Sequence, residues 1–417
     1  MSQVGSNAKS VLLSLCAAGT VFMGNVASAE EAGESAAAPQ GMTKYTAVLP
    51  KGKTLPEGVA RLRVPVSIAK TTEAYDGDGE KGKLGYTADV TAGAAVFEYG
   101  YSDKISLQLV VPYSSNFAVE ANYADALEKA LTTDRDTTIA GIVSTIGGAG
   151  YADCSSGTCQ VNDATKAYAQ TLGQDLSSVP NGTPLSTVVS SFSDSLLESL
   201  ISSSITTGVA NANKSKYGET GMGDIQIAAL TEVHKTDNLL VAVGGGLRFA
   251  TGNRKTEEKT VDRGTHDIGV RLNVDYNFTD NALVSWEHYW EHMLVAGEKE
   301  VTDSSTGAKS TEKLERIGSR NYGDLVVGYN LGDLHESMKA LGLQAGISYE
   351  WDGEVRFDGV SQGRNSESIS SSVQLTASGL DYGVPVSLDV EMTNPIQGKN
   401  AGVTTASVYT LKAYYKF

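Results

Sequence analysis

Residues Asp267 to Phe278 constrain the fold more than any other stretch of this chain. Ile268, Val270, Leu272, Val274, Tyr276 and Phe278 alternate with Asp267, Arg271, Asn273 and Asp275. A period of two belongs to a strand, whose successive side chains point to opposite faces. Here one face is oily and the other charged, so the two faces meet different solvents. The pattern recurs near the start of the chain. Ala60, Leu62, Val64, Val66 and Ile68 oppose Arg61, Arg63 and Ser67. Two arginines of one strand are costly to bury in a dry core but cost little beside water.

Twelve such stretches can be counted. They begin with Gly58–Lys70, Leu84–Tyr99 and Ile105–Tyr113, then Gly223–His234, Leu239–Thr251 and Asp267–Phe278. Ala282–Met293, Asp324–Leu331, Leu343–Trp351, Glu367–Ser378, Val384–Met392 and Gly402–Phe417 complete the set. Pro65, which lacks a donor, predicts a locally irregular ladder in the first strand. In the second, Tyr86, Ala88, Val90 and Val96 read as the outer face, opposite Thr87, Asp89 and Thr91. Short turns follow the even-numbered strands, and mostly longer, charged loops follow the odd ones, ending with the modest Thr393–Ala401. That layout predicts an all-β transmembrane antiparallel up-and-down β-barrel of twelve strands spanning 57–417. The 45 glycines fit it, because only half of each strand must be apolar.

The N-terminus reads as an export signal. Val11–Val21 is an apolar core of signal-peptide length, and Ala27-Ser28-Ala29 supplies the small residues of a cleavage site before Glu30. Cys16 follows Leu15 rather than a small residue, which argues against a lipoprotein anchor. Residues 1–29 are therefore expected to be removed, with 30–56 as a periplasmic tail. Nowhere does the chain reach about 18 consecutive apolar residues, the mark of a membrane helix. The net charge of −16 disfavours nucleic-acid binding, which needs clustered cations.

Between Ser114 and Thr220 the period of two is lost. Tyr123–Leu131, Asp163–Leu176 and Leu185–Val209 read as helices. Val188, Phe192, Leu196 or Leu197, and Leu200 form a stripe that must bury against something. This mostly helical extracellular insertion, 114–220, would be a cap, a plug of the barrel mouth or a small separate domain. Cys154 and Cys159, in an exported chain, predict a disulfide; the spacing suits zinc poorly.

The terminal stretch places Tyr409, Leu411, Ala413, Tyr415 and Phe417 on one face. It resembles the closing strand of bacterial outer-membrane barrels, a segment read by their insertion machinery. Three further segments carry a family resemblance. They are Val111-Pro112-Tyr113, Gly221-Met222-Gly223-Asp224-Ile225 and Gly246-Leu247-Arg248-Phe249-Ala250-Thr251-Gly252. From about Leu84 onward the chain resembles the meta-pathway phenol-degradation family of outer-membrane transporters, similar in plan to transporters of long-chain fatty acids and aromatic hydrocarbons. The insertion after Tyr113 is longer than that family would have, and no proline precedes Thr251-Gly252.

Candidate sites follow from strand parity. The charges expected to line the lumen are Arg61, Arg63, Asp89, Glu232, Arg248 and Asp267, followed by Arg271, Asp275, Glu287, Glu350, Asp389 and Glu391. They could hold the barrel together, set selectivity, or both. Trp286, Trp290, Tyr409, Tyr415 and Phe417 read as an aromatic belt. His288 and His292, four residues apart on a strand, are about 13 Å apart and cannot share one ion. The run Asp76, Asp78, Glu80 lacks the full ligand spacing of a calcium loop, and Gly218–Ala228 opens a strand without a Walker lysine. His234, His266 and His335 have no accompanying nucleophile motif. No catalytic residue, metal or cofactor is expected. The reading is an outer-membrane channel for passive uptake of small hydrophobic or aromatic solutes. A closed structural or adhesive barrel and a membrane hydrolase are the alternatives. Expected partners are outer-membrane lipid and lipopolysaccharide, the barrel-assembly machinery and a small-molecule solute.

Overall fold

The computed structural model describes residues 46–214, 221–251, 265–295, 297–302, 309–357, 360–361 and 365–416. The expected signal peptide, residues 30–45 of the tail and Phe417 of the belt lie outside the described residues. The chain divides into two compact units. One comprises Met1–Lys81, Ala88–Ala118 and Lys216–Phe417, the other Gly82–Thr87 and Val119–Ser215.

The first unit is a closed antiparallel barrel of twelve strands. They are β1 (Val59–Tyr75), β2 (Lys81–Ser102), β3 (Ile105–Ala121), β4 (Gln226–Lys235), β5 (Leu239–Arg248) and β6 (His266–Thr279). Then come β7 (Ala282–Val295), β8 (Lys309–Asn330), β9 (Leu341–Phe357), β10 (Ser366–Ser378), β11 (Val386–Lys399) and β12 (Gly402–Lys416). Each pairs with its sequence neighbours, and β12 pairs back onto β1 from Val59↔Lys416 to Ala74↔Gly402. Closure leaves no strand edge among the twelve, the condition for crossing hydrocarbon with strands.

Burial runs inside out, as the alternation requires. Leu62, Val64, Val66 and Ile68 are exposed on β1, whereas Arg61 and Arg63 are 1% and 2% exposed. On β6 Asp267, Arg271, Asn273 and Asp275 are buried while Ile268, Val270, Tyr276 and Phe278 are exposed. The oily face therefore points outward around the ring.

Four local expectations are corrected. In β2 the outer face is Phe97, Tyr99 and Tyr101, and Val96 is fully buried inside. The face was misassigned because the small residues Ala92–Ala95 carry almost no contrast between the two sides. The register runs unbroken through Pro65↔Thr410, and the irregularity falls instead between Thr71 and Glu73. β8 starts at Lys309, well before Asp324, because its first half is polar and pairs with Gly297–Thr302 and β9. β11 runs on to Lys399, leaving only a tight turn in which Asn400 has φ 50°. Elsewhere the turn Asp76–Glu80 is closed by the Asp76 carboxylate. It accepts from the backbone of Glu80 and Asp78, which holds its pKa below the usual carboxylate range.

The second unit is helical: α1 (Tyr123–Leu131), α2 (Arg135–Gly148), α3 (Asp163–Thr171), α4 (Leu185–Ser190) and α5 (Asp194–Lys214). Ser114–Ala121, expected within the insertion, instead extends β3. The expected long helix from Leu185 breaks between Ser190 and Asp194, in a run rich in serine, which favours turns and caps. Val188, Phe192, Leu196 and Leu197 pack with Ile139, Ile142 and Ile146 of α2 in a core of the unit's own. Ile139, Ile142 and Ile146 are spaced three and four apart, a helical stripe that the sequence reading passed over. Cys154 and Cys159 are disulfide-bonded.

Replacing Leu411, 49% exposed on the outer face of β12, with arginine should cost about 2–4 kcal/mol if that face meets the bilayer interior. Urea titration of folding into lipid vesicles measures it; an unchanged midpoint would refute the outward oily face.

Candidate functional site: the lumen

Inward parity gathers charges from most of the ring, and they pair across strands. Arg61 Nε meets Glu98 Oε2 at 2.5 Å and Arg63 Nη2 meets Glu98 Oε1 at 2.8 Å. Gln108 donates to the same carboxylate at 3.1 Å. Arg248 forks onto Glu291 at 3.1 and 2.7 Å and reaches Asp267 at 3.2 Å. Arg271 donates to Glu287 at 2.7 Å, Arg320 pairs with Glu350, and Lys412 pairs with Asp389 at 2.9 Å. Bidentate guanidinium–carboxylate pairs hold their geometry well. Such pairs balance the desolvation of the ions when water fills what the protein does not.

Of the residues expected to line the lumen, Arg61, Arg63, Glu232, Arg248, Asp267, Arg271, Asp275, Glu287 and Asp389 are buried inside the ring. Glu350 and Glu391 share their inward parity and are less covered. Asp89 is the exception. It shares the parity of exposed Phe97, Tyr99 and Tyr101, is only half-buried, and the buried carboxylate of β2 is Glu98. Reading missed Glu98, Glu291, Asp324, Arg320 and Lys412. Glu98 sits between Phe97 and Tyr99, and Glu291 is four residues from Glu287, so both were visible in principle. Arg320 lay outside the strand boundary.

The aromatic-belt residues behave as outward side chains. Trp286, Tyr409 and Tyr415 are 40%, 42% and 64% exposed, and Trp290 shares the parity of Trp286. His288 and His292 stack on Trp286 and Trp290, with ring centroids 6.1 and 5.6 Å apart. They therefore face away from the lumen charges.

The tail corrects the sequence reading most. Residues 46–56 are not a free periplasmic segment: they cross the inside of the ring near its short-turn end as a strap. Ala47, Val48 and Leu55 are fully buried. Thr46 donates to Asp381 at 3.0 Å. Val48 exchanges two hydrogen bonds with the Asn330 amide, at 2.7 and 3.2 Å. The Lys51 ammonium pairs with Asp324. The backbone N–H groups of Lys51 and Gly52 donate to Asp275 at 3.0 and 2.8 Å. Thr54 donates from backbone and hydroxyl to Glu232, and Leu55 N donates to Ser106 at 2.7 Å. An irregular strand leaves its backbone groups unpaired, and the lumen's carboxylates and amides satisfy them. Glycine makes the room: a Cβ on Gly342 or Gly328 would collide with Val48. Composition alone hid this, since the stretch has no period.

Toward the loop end from the strap lies a cavity of about 970 Å³ that is open to solvent. Its polar wall is Glu98, Gln108, Gln226, Arg248, Arg271, Glu287 and Arg320. Its flat side is Ala228, Gly244 and Gly246, with Tyr289 packed over Gly269 and Tyr322 beside them.

The closed ring, oily outside and polar within, defines a transmembrane β-barrel of the outer-membrane class. No protein-family model and no curated protein matches this chain. Among solved structures, the COG4313 outer membrane channel from Pseudomonas putida F1 is similar over 87% of this chain and 98% of that one. Its identity is 12% and its TM-score 0.53, which establishes the shared fold. The CymD monoaromatic hydrocarbon channel (11% identity, 87% of this chain, 89% of that one) and the toluene transporter TodX of P. putida (7%, 87% and 91%) each overlay at a TM-score of 0.34, too low to argue from.

Glu98→Gln should leave Arg61 and Arg63 sharing a neutral partner in a buried site. Folding stability should fall by about 3 kcal/mol, measurable by denaturant titration in detergent. Loss within a few tenths would mean that water already screens the pair.

Proposed function

We propose that this protein is an outer-membrane channel through which small hydrophobic or aromatic solutes pass without energy input. The observation that carries this is the cavity inside a closed ring, separated from one mouth by a strap that runs on into β1 and is otherwise held to the lumen wall by hydrogen bonds and ion pairs. A twelve-stranded ring lies between the filled interior of eight strands and the open channel of sixteen. The flat patch of glycine and alanine beside Tyr289 and Tyr322 suits a planar ring, and the polar wall would orient a polar substituent. The resemblance of the Gly221–Ile225 and Gly246–Gly252 segments points to the same solute class. The paired charges act both as struts and as a selectivity lining. Transport here is diffusion and needs no catalytic group. The N-terminal signal would deliver the chain for export, and the assembly machinery would recognise its last strand. Lipid and lipopolysaccharide would bathe the outer face, with Trp286, Trp290, Tyr409 and Tyr415 at the interfaces.

Liposome swelling tests the reading. Intact protein should admit small solutes slowly, and deletion of Thr46–Pro56 should raise the rate several-fold. No flux from either form, with folding confirmed by electrophoretic heat-modifiability, would leave a closed structural barrel instead.

A further inference from the structure

The strap brings one cation into a group of acids. Lys51 pairs directly with Asp324, and Glu287 and Glu391 lie within electrostatic reach of its ammonium. Asp275 receives the backbone N–H groups of Lys51 and Gly52. These four carboxylates come from β6, β7, β8 and β11, and each turns into the lumen toward Lys51. Arg271 is the other cation facing them, through Glu287. The neighbouring Asp389 is neutralised by Lys412, and Lys53 is engaged by Glu232. Four carboxylates thus face two cations.

A second observation says what is short. Glu287, 2% exposed, uses Oε2 for Arg271 and Asn273, but among the described residues no donor reaches its Oε1. Asn273, fully buried and beside Gly52, likewise has an unpartnered Oδ1. Both atoms accept, so a ligand that reaches them donates; Arg271 Nε beside them is an unpartnered donor. Tyr322, 2% exposed, lies within electrostatic reach of Asp324, Glu287 and Glu391. Lys51 already shows what the site holds: a primary ammonium on an alkyl stem.

Resting on the channel reading above, we propose that Asp275, Glu287, Asp324 and Glu391 form a cation station in the lumen. Lys51 is its tethered occupant, and the solutes the open channel favours carry an ammonium group. When the strap yields, the departing Lys51 uncovers the acids, and a cationic solute replaces it charge for charge. A neutral or anionic solute would leave the carboxylates facing one another without their counter-ion, which is the physical basis of the preference.

The test uses full-length protein in planar bilayers, with K⁺/Cl⁻ permeability ratios from reversal potentials under a KCl gradient. Wild type should favour K⁺. Lys51→Gln should raise the ratio several-fold, and Glu391→Gln should move it toward unity. Millimolar benzylammonium should reduce the K⁺ current of Lys51→Gln more than that of wild type, and benzyl alcohol should not. Should Glu391→Gln fail to fold, Lys51→Gln combined with Asp324→Asn removes both members of the pair and should lie below Lys51→Gln alone. A conducting channel whose ratio ignores these substitutions, or one blocked equally by both benzyl compounds, overturns the cation station and leaves the channel standing. Silence from wild type, Lys51→Gln and the strap-deleted protein overturns both.

Discussion

The pairing of β1 with β12 is the constraint on which the rest depends. In hydrocarbon an unpaired N–H or C=O costs several kcal/mol. A strand ladder survives there only if its two edges find each other. The register from Val59↔Lys416 to Ala74↔Gly402 supplies that closure. Once the ring is shut, parity leaves each side chain two choices, oil or lumen. Arg61 and Leu62 differ by one position and by the solvent they meet.

Closure also creates the problem that the interior solves. Charged side chains brought inward from most of the strands are crowded together, and crowding of like charges is costly. Here the cations sit opposite carboxylates one or two strands away: Glu98 answers two arginines, and Arg248 answers two acids. The strap extends the same logic. Its irregular backbone needs acceptors, which Asp275 and Glu232 supply, and its Lys51 ammonium meets Asp324. Barrel and strap thus complete one another electrostatically, and that dependence makes the position of Lys51 informative about what the lumen attracts.

Much of this was legible beforehand. β6, β7 and β12 show their faces plainly because every second residue contrasts with the next, and the lumen charges on β1, β5, β6, β7 and β11 followed from that contrast. Where contrast fades, reading failed. The small residues Ala92–Ala95 gave the wrong face for β2 and so Asp89 in place of Glu98. The polar first half of β8 hid Arg320. In the helical unit, the stripe of α4 and α5 was seen, but its partner α2, rich in threonine and glycine, was not.

The sequence by itself determined that a chain of alternating strands with arginines on one face must close around water, because periodicity and solvation are local properties. It determined the strand number, the outward oily face and most of the inward charges for the same reason. Only the tertiary structure decided which charges meet. Arg271 with Glu287, and Lys51 with Asp324, are pairs set by stagger between strands and by the path of a segment without a period. The strap is the clearest case: nothing local distinguishes Thr46–Pro56 from a loose tail, and its place is settled by acceptors and glycine gaps contributed from far along the chain.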